Sequence, residues 1–359
     1  MAERKGTVTD RERVEALLRR QKPDRVPSWP LSLGFATVYT GTSVADAYNN
    51  PQVSLAAQRK ASQDFGWVFW PQTLSPTVAG WEFGGEIKWP SGEFAQAPMM
   101  TRFPVATEED ARNLKMPDVK TAGFAPIAME FFKLSSQERL DNEPFNVMSL
   151  VGGAFTASAN ITGPEMFSKW LLKKSEVAHH LLRMGTDYLL QYARLWKDTF
   201  GIDGVLPMLA EPTAANQIIS PAQFEQFVLP YNREISDNVL AMGYKHIFVH
   251  ICGEQNLNLP HWAKMKFGDP GIISTPHEVD LKKMAEYFPN DIIFGNIEPK
   301  IIQVEKPDVV YEETRKVVEK GKSLSNGFIF STGCEMPPLS PVENVKAMQQ
   351  AVADYGCYE

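Results

Sequence analysis

His250, Cys252 and Cys334 are the residues whose types and spacing carry the clearest chemistry in this chain. They stand in the segments IFVHICGEQ (247–255) and FIFSTGCEMPP (328–338). Each segment is a run of β-formers that breaks into a glycine-containing turn, and the ligand-type side chains sit at the break. One imidazole and two thiolates are a ligand set that zinc prefers, and three protein ligands leave a fourth position open for a reacting group. Two of the three cysteines in the chain are used this way. The third, Cys357, lies close to the end of the chain and reads as a bystander.

Such residues need strand ends to hold them. Eight candidate strands run along the chain: 25–30, 67–72, 145–153, 204–211, 246–253, 271–276, 291–297 and 327–334. Helix-like stretches alternate with the later ones. Thr9 and Glu12 fit a capping box that opens a first helix. Residues 164–200 read as two helices, and 220–242 as another pair opened by Ser220 and Pro221. Segments 306–321 and 340–356 follow the same pattern. Strands alternating with helices imply a parallel sheet. Their number predicts an α/β chain with a (β/α)8 TIM barrel, preceded by an N-terminal helix. A doubly wound open sheet is the alternative, but no glycine-rich phosphate loop marks a switch point.

The connection 73–144 is too long for an ordinary loop. It contains GWEFGGEIKW (80–89), two short β-like runs around Gly84 and Gly85, which predicts a hairpin. The whole chain, 1–359, is read as one domain, with 73–144 inserted near the barrel mouth.

Composition narrows the function. A net charge of −7 and a sequence pI near 5.5 argue against nucleic-acid binding. No apolar run is long enough to span a membrane. Three cysteines do not form a disulfide framework, so a reducing cytoplasm is expected.

In a barrel the active site lies at the C-terminal ends of the strands. His250 and Cys252, two apart on one strand end, face the same side, and Cys334 closes the site from a later strand. Glu211, which ends the fourth candidate strand, is a candidate fourth and exchangeable ligand; the alternative is an acid that supports the ligands or caps a helix. His277 and Asn296 end the sixth and seventh candidate strands and could orient substrate or ligands. Glu254, Gln255 and Glu335 follow the metal ligands and could support them. Trp29, Trp67, Trp70 and Tyr231 predict an aromatic substrate wall, with buried core packing as the alternative.

The chain resembles the uroporphyrinogen decarboxylase superfamily, in particular its zinc-dependent, corrinoid-linked methyltransferase branch. The resemblance runs through RERVEALLRRQKPDRVPSWP (11–30), ISPAQFEQFVLPY (219–231), HICG (250–253), FGNIEP (294–299) and STGCEMPPLSPVENVKAM (331–348). That branch's zinc pattern, His-x-Cys with a distant Gly-Cys, falls on His250, Cys252 and Cys334. The decarboxylases carry an arginine-rich N-terminal signature. The matching stretch here, RVPSWPLSLGF (25–35), has only Arg25. The resemblance implies methyl transfer between a small molecule (a methoxylated aromatic, a methylamine or a thiol) and a corrinoid (cobalamin) on a partner protein. The aromatic strand ends and the scarcity of cations there favour a methyl donor over a coenzyme M acceptor. A metal-free decarboxylase, a non-catalytic binding relative and a zinc hydrolase are the competing expectations.

Overall fold

The computed structural model describes residues 8–73, 75–91, 97–150 and 152–358. Its centre is a sheet of six parallel strands in the order in which they occur along the chain. Two short strands precede them, β1 (Glu86–Lys88) and β2 (Met99–Arg102). The six are β3 (Asn146–Leu150), β4 (Val205–Ala210), β5 (Phe248–His250), β6 (Ile272–Ser274), β7 (Ile292–Ile297) and β8 (Phe328–Thr332). All six lie within the stretches predicted as strands. β4 to β8 are almost wholly buried, as expected for parallel strands covered on both faces.

The first two candidate strands are extended segments beside this sheet. Trp29 N donates to Phe330 O at 2.8 Å, and Phe330 N donates to Pro27 O at 2.9 Å. Val68 N donates to Ser28 O at 2.7 Å. The order of hydrogen-bonded neighbours therefore continues from β8 to 25–30 and on to Val68.

Side-chain caps start several of the helices. Thr9 and Ser220 both build capping boxes, starting the helices Asp10–Leu18 and Pro221–Phe227. Lys174 separates Pro164–Lys173 from Ser175–Phe200, and Val228 separates Pro221–Phe227 from Leu229–Ala241, so both predicted pairs are present. None of the helices among the described residues is long and apolar enough to cross a membrane.

The insertion departs from its expected detail. Residues 80–84 form turns, and β1 pairs antiparallel with β2 rather than with the run before Gly84. The ladder therefore joins 86–88 to 99–102, across a longer connection than a tight turn at Gly84 and Gly85. Alternation of residue type marks a strand but not its partner. Asn160 Nδ2 ties this region to the helix Ala154–Thr162 by donating to Pro76 O and Val78 O, each at 3.0 Å. The C-terminus is likewise held. Val26 N donates to Gly356 O, and Tyr358 N donates to Asp24 O. Cys357 itself is exposed.

Candidate metal centre

β5 ends at His250, and the chain then turns through Cys252 and Gly253. Gly253 has φ +72°, a backbone region that costs a side-chain-bearing residue strain. The turn after β8 needs its glycine for space. A Cβ on Gly333 would lie 2.7 Å from His277 N. Gly333 N donates to Ile297 O at 2.8 Å, which anchors this turn to the end of β7.

The two turns bring the three expected ligands together. The Sγ atoms of Cys252 and Cys334 are 3.7 Å apart, and Cys334 Sγ is 3.7 Å from His250 Nε2. All three ligand atoms lie within 4.8 Å of one another. Two sulfurs at about 2.3 Å from a tetrahedral zinc are about 3.8 Å apart, so the spacing and donor chemistry fit that metal. The two thiols perturb each other in opposite directions. Cys334 is held well below the usual thiol range, first by the hydrogen bond with Cys252 and then by that with His250, against the effect of burial. Cys252 is pushed up by the same thiol–thiolate contact and by burial.

Neighbouring groups hold this cluster in place. Ser274 Oγ lies 2.9 Å from His250 Nδ1. Gln255 Nε2 donates to Cys252 O, and its Oε1 accepts from Asn258 Nδ2 and Trp262 Nε1. Glu335 Oε1 accepts from Gly34 N at 3.0 Å, at the start of the helix Leu33–Tyr39. Burial pushes the Glu335 carboxyl up to about 8. Gln255 and Glu335 thus brace the two cysteine turns. Glu254 instead accepts from Asn256 N, within its own loop. Sequence reasoning missed Ser274. Its signal was the end of GIIS, where a hydroxyl follows β-formers as His250 does in IFVH.

Glu211 is placed otherwise than expected of a ligand. It is fully buried, and its oxygens accept from Phe155 N (3.0 Å), Thr156 N (2.9 Å), Thr156 Oγ1 (2.7 Å) and Asn232 Nδ2 (3.0 Å). The carboxyl sits at the N-terminus of Ala154–Thr162, where free N–H groups and the helix dipole favour it. It is thus committed to capping a helix, and it lies outside the ligand cluster.

The other candidates scatter. His277 is partly exposed and pairs with Glu278 at 3.2 Å. Asn296 Nδ2 donates to Pro276 O (3.1 Å) and Val279 O (2.8 Å), bracing the loop after β6. Both line a cleft of about 470 Å³ that also includes Glu298, Lys316 and Lys320. Trp29 and Trp70 are 0% and 5% exposed, and their rings meet edge to face with centroids 4.6 Å apart. Trp70 meets Phe248 at 4.7 Å, and Phe248 meets Phe294 at 5.0 Å. These four form a packed aromatic layer. Trp67 belongs to another cluster, stacked on Phe65 at 5.0 Å beside Phe35. Tyr231 spans two helices, its hydroxyl 2.8 Å from His179 Nδ1. The four aromatics therefore do not form one wall. Ring type is visible in a sequence, but the side of the strand or helix that faces the site is decided by packing.

Comparison with known proteins agrees with this architecture. The chain is 26% identical to the methylcobamide:CoM methyltransferase MtbA of Methanosarcina acetivorans, over 97% of this chain and 98% of that protein. It is 24% identical to the methylcobamide:CoM methyltransferase MtaA of Methanosarcina barkeri, over 88% of each. A solved methyltransferase from Methanosarcina mazei superposes with a TM-score of 0.80 at 21% identity, covering 97% of this chain and 99% of that one. The uroporphyrinogen decarboxylase (URO-D) family model matches residues 9–355, and the chain belongs to that family.

Proposed function

We propose that this chain is a zinc-dependent methyltransferase that moves a methyl group from a methylated corrinoid, carried by a partner protein, to a small-molecule thiol. The observation that carries this reading is the convergence of His250, Cys252 and Cys334 to within 4.8 Å at the ends of β5 and β8. Full-length similarity to corrinoid methyltransferases supports it. We read the fold as an eight-stranded barrel in which 25–30 and 67–72 take the first two places, with 73–144 as an insertion in a single domain.

His250 Nε2 and the sulfurs of Cys252 and Cys334 hold the metal in this reading. Zinc bound there would supply Lewis-acid chemistry at an open coordination position, favouring the thiolate form of an acceptor. The two sulfurs and the imidazole would offset the charge of a dication held there, leaving an acceptor sulfur nucleophilic. The transfer would be a displacement: a carbon–sulfur bond would form as the carbon–cobalt bond breaks, with the bonding pair left on the corrinoid and the thiol proton released to solvent. Gln255 and Glu335 keep the cysteine turns in position throughout.

The methyl-donor expectation rested on an aromatic wall and on the scarcity of cations at the strand ends. The burial of Trp29 and Trp70 and the separate packing of Trp67 remove the first of these supports, and the similarity to methylcobamide:CoM methyltransferases favours the thiol acceptor. The test is metal analysis followed by zinc-edge absorption with coenzyme M, methoxyaromatics and methylamines added in turn. The expected result is about one zinc per chain, a change of edge with the thiol, and thiol-dependent demethylation of methylcobalamin. Protein that takes up no zinc on loading, or an edge that changes only with the methyl donors, would overturn this reading.

A further inference from the structure

His250 can bind a metal through only one of its ring nitrogens, and something must decide which. Nε2 faces Cys334 Sγ at 3.7 Å, while Nδ1 faces Ser274 Oγ at 2.9 Å. The contact follows from the sheet. β5 and β6 pair in parallel with His250 directly beside Ser274, so both side chains leave the same face at the same level. Ser274 is fully buried, so bulk water does not substitute for its hydroxyl.

We propose that Ser274 is a positioning residue for the metal centre, holding His250 in the tautomer that leaves Nε2 free to bind zinc. This inference rests on the metal reading above. A neutral imidazole carries one N–H and one lone pair, and a ligating ring needs its lone pair on the metal side. The Ser274 oxygen accepts the Nδ1 proton, which fixes both the tautomer and the ring plane.

Thr275 provides an internal control. It is equally buried and adjacent, and its Oγ1 has no hydrogen-bond partner among the described residues. The experiment measures zinc affinity by competition with a chromophoric chelator for wild type, Ser274→Ala, Ser274→Thr and Thr275→Val. Ser274→Ala should bind zinc roughly 10- to 100-fold more weakly. Ser274→Thr should restore wild-type affinity, and Thr275→Val should leave it unchanged. Nitrogen-15 spectra of histidine-labelled, zinc-loaded wild type should show His250 with a slowly exchanging proton on Nδ1, lost in Ser274→Ala. Equal losses in Ser274→Ala and Thr275→Val, or an unprotonated Nδ1 in wild type, would overturn the role of Ser274. The nitrogen-15 spectrum decides the matter even if Ser274→Ala does not fold. Wild type that takes up no zinc would overturn the metal reading itself, an outcome distinct from a zinc-loaded wild type whose affinity is unchanged in Ser274→Ala.

Discussion

Glu211 and Thr156 are joined twice: the Glu211 carboxyl accepts from both the backbone N and the hydroxyl of Thr156, at 2.9 and 2.7 Å. With Phe155 N and Asn232 Nδ2 as further donors, the end of β4 is clamped to the helix that follows β3. Removing the carboxylate leaves buried donors unpaired, each costing about 1–3 kcal/mol. Glu211→Ala should therefore lose several kcal/mol of stability, on the order of 3–5. Urea unfolding measures this. A loss below about 1 kcal/mol would show that the clamp is not structural.

Cys334→Ala should abolish metal retention while leaving the helical circular dichroism signal in place. The side chain is small, and what it loses is its contacts with Cys252 and His250. Methyl transfer should fall at least about 100-fold. Stripping wild type with a chelator should mimic the mutant, and zinc should restore wild type but not Cys334→Ala. Elemental analysis beside the activity assay gives both readouts.

Stability should fall as pH rises from about 5 to 8, and Glu82 should account for part of it. Burial pushes this carboxyl up to about 7; its Oε1 accepts from Phe124 N, and its Oε2 has no partner among the described residues. The folded chain therefore holds a proton that the unfolded chain has released. Unfolding sheds that proton, so higher pH favours the unfolded state above the ordinary carboxyl pKa and until the folded value is passed. The effect is on the order of 2–3 kcal/mol. Glu82→Gln should flatten this slope, as urea midpoints at pH 5 and pH 8 can measure. An unchanged slope would mean that Glu82 does not hold the proton.

Trp67→Phe and Tyr231→Phe should leave the KM for the small-molecule substrate unchanged. Trp67 packs against Phe65 and Phe35, and Tyr231 bonds His179 between two helices. Tyr231→Phe should cost about 1 kcal/mol through its lost hydrogen bond. A rise of tenfold or more in KM for either variant would return these rings to the substrate site.

Trp70→Ala should cost about 3–5 kcal/mol, because it opens a cavity in the aromatic layer with Trp29, Phe248 and Phe294. Thermal unfolding of the variant beside wild type would measure it. A smaller loss would indicate that this layer is loosely packed.

Much of this protein was legible in the order of its residues. Local chemistry decides local structure, so the capping box at Thr9, the helix start at Ser220 and Pro221 and the six strand positions could be read directly. The convergence of His250, Cys252 and Cys334 was legible for a related reason. His250 and Cys252 share a strand end, and parallel strands bring all such ends to one side, where Cys334 also arrives. The tertiary structure decided whatever depends on a neighbour distant in sequence. Glu211 became a helix cap because the helix at 154 begins against β4. Trp67 and Trp70 went to separate clusters because packing chose the face on which each is buried. β1 took Met99–Arg102 as its partner across a connection that alternation cannot measure. The hydroxyl beside His250 came from the register of β5 on β6. Side-chain type and local spacing belong to the sequence, whereas the partner each buried polar or aromatic group finds is set by long-range packing, where one strand's register moves every contact along it.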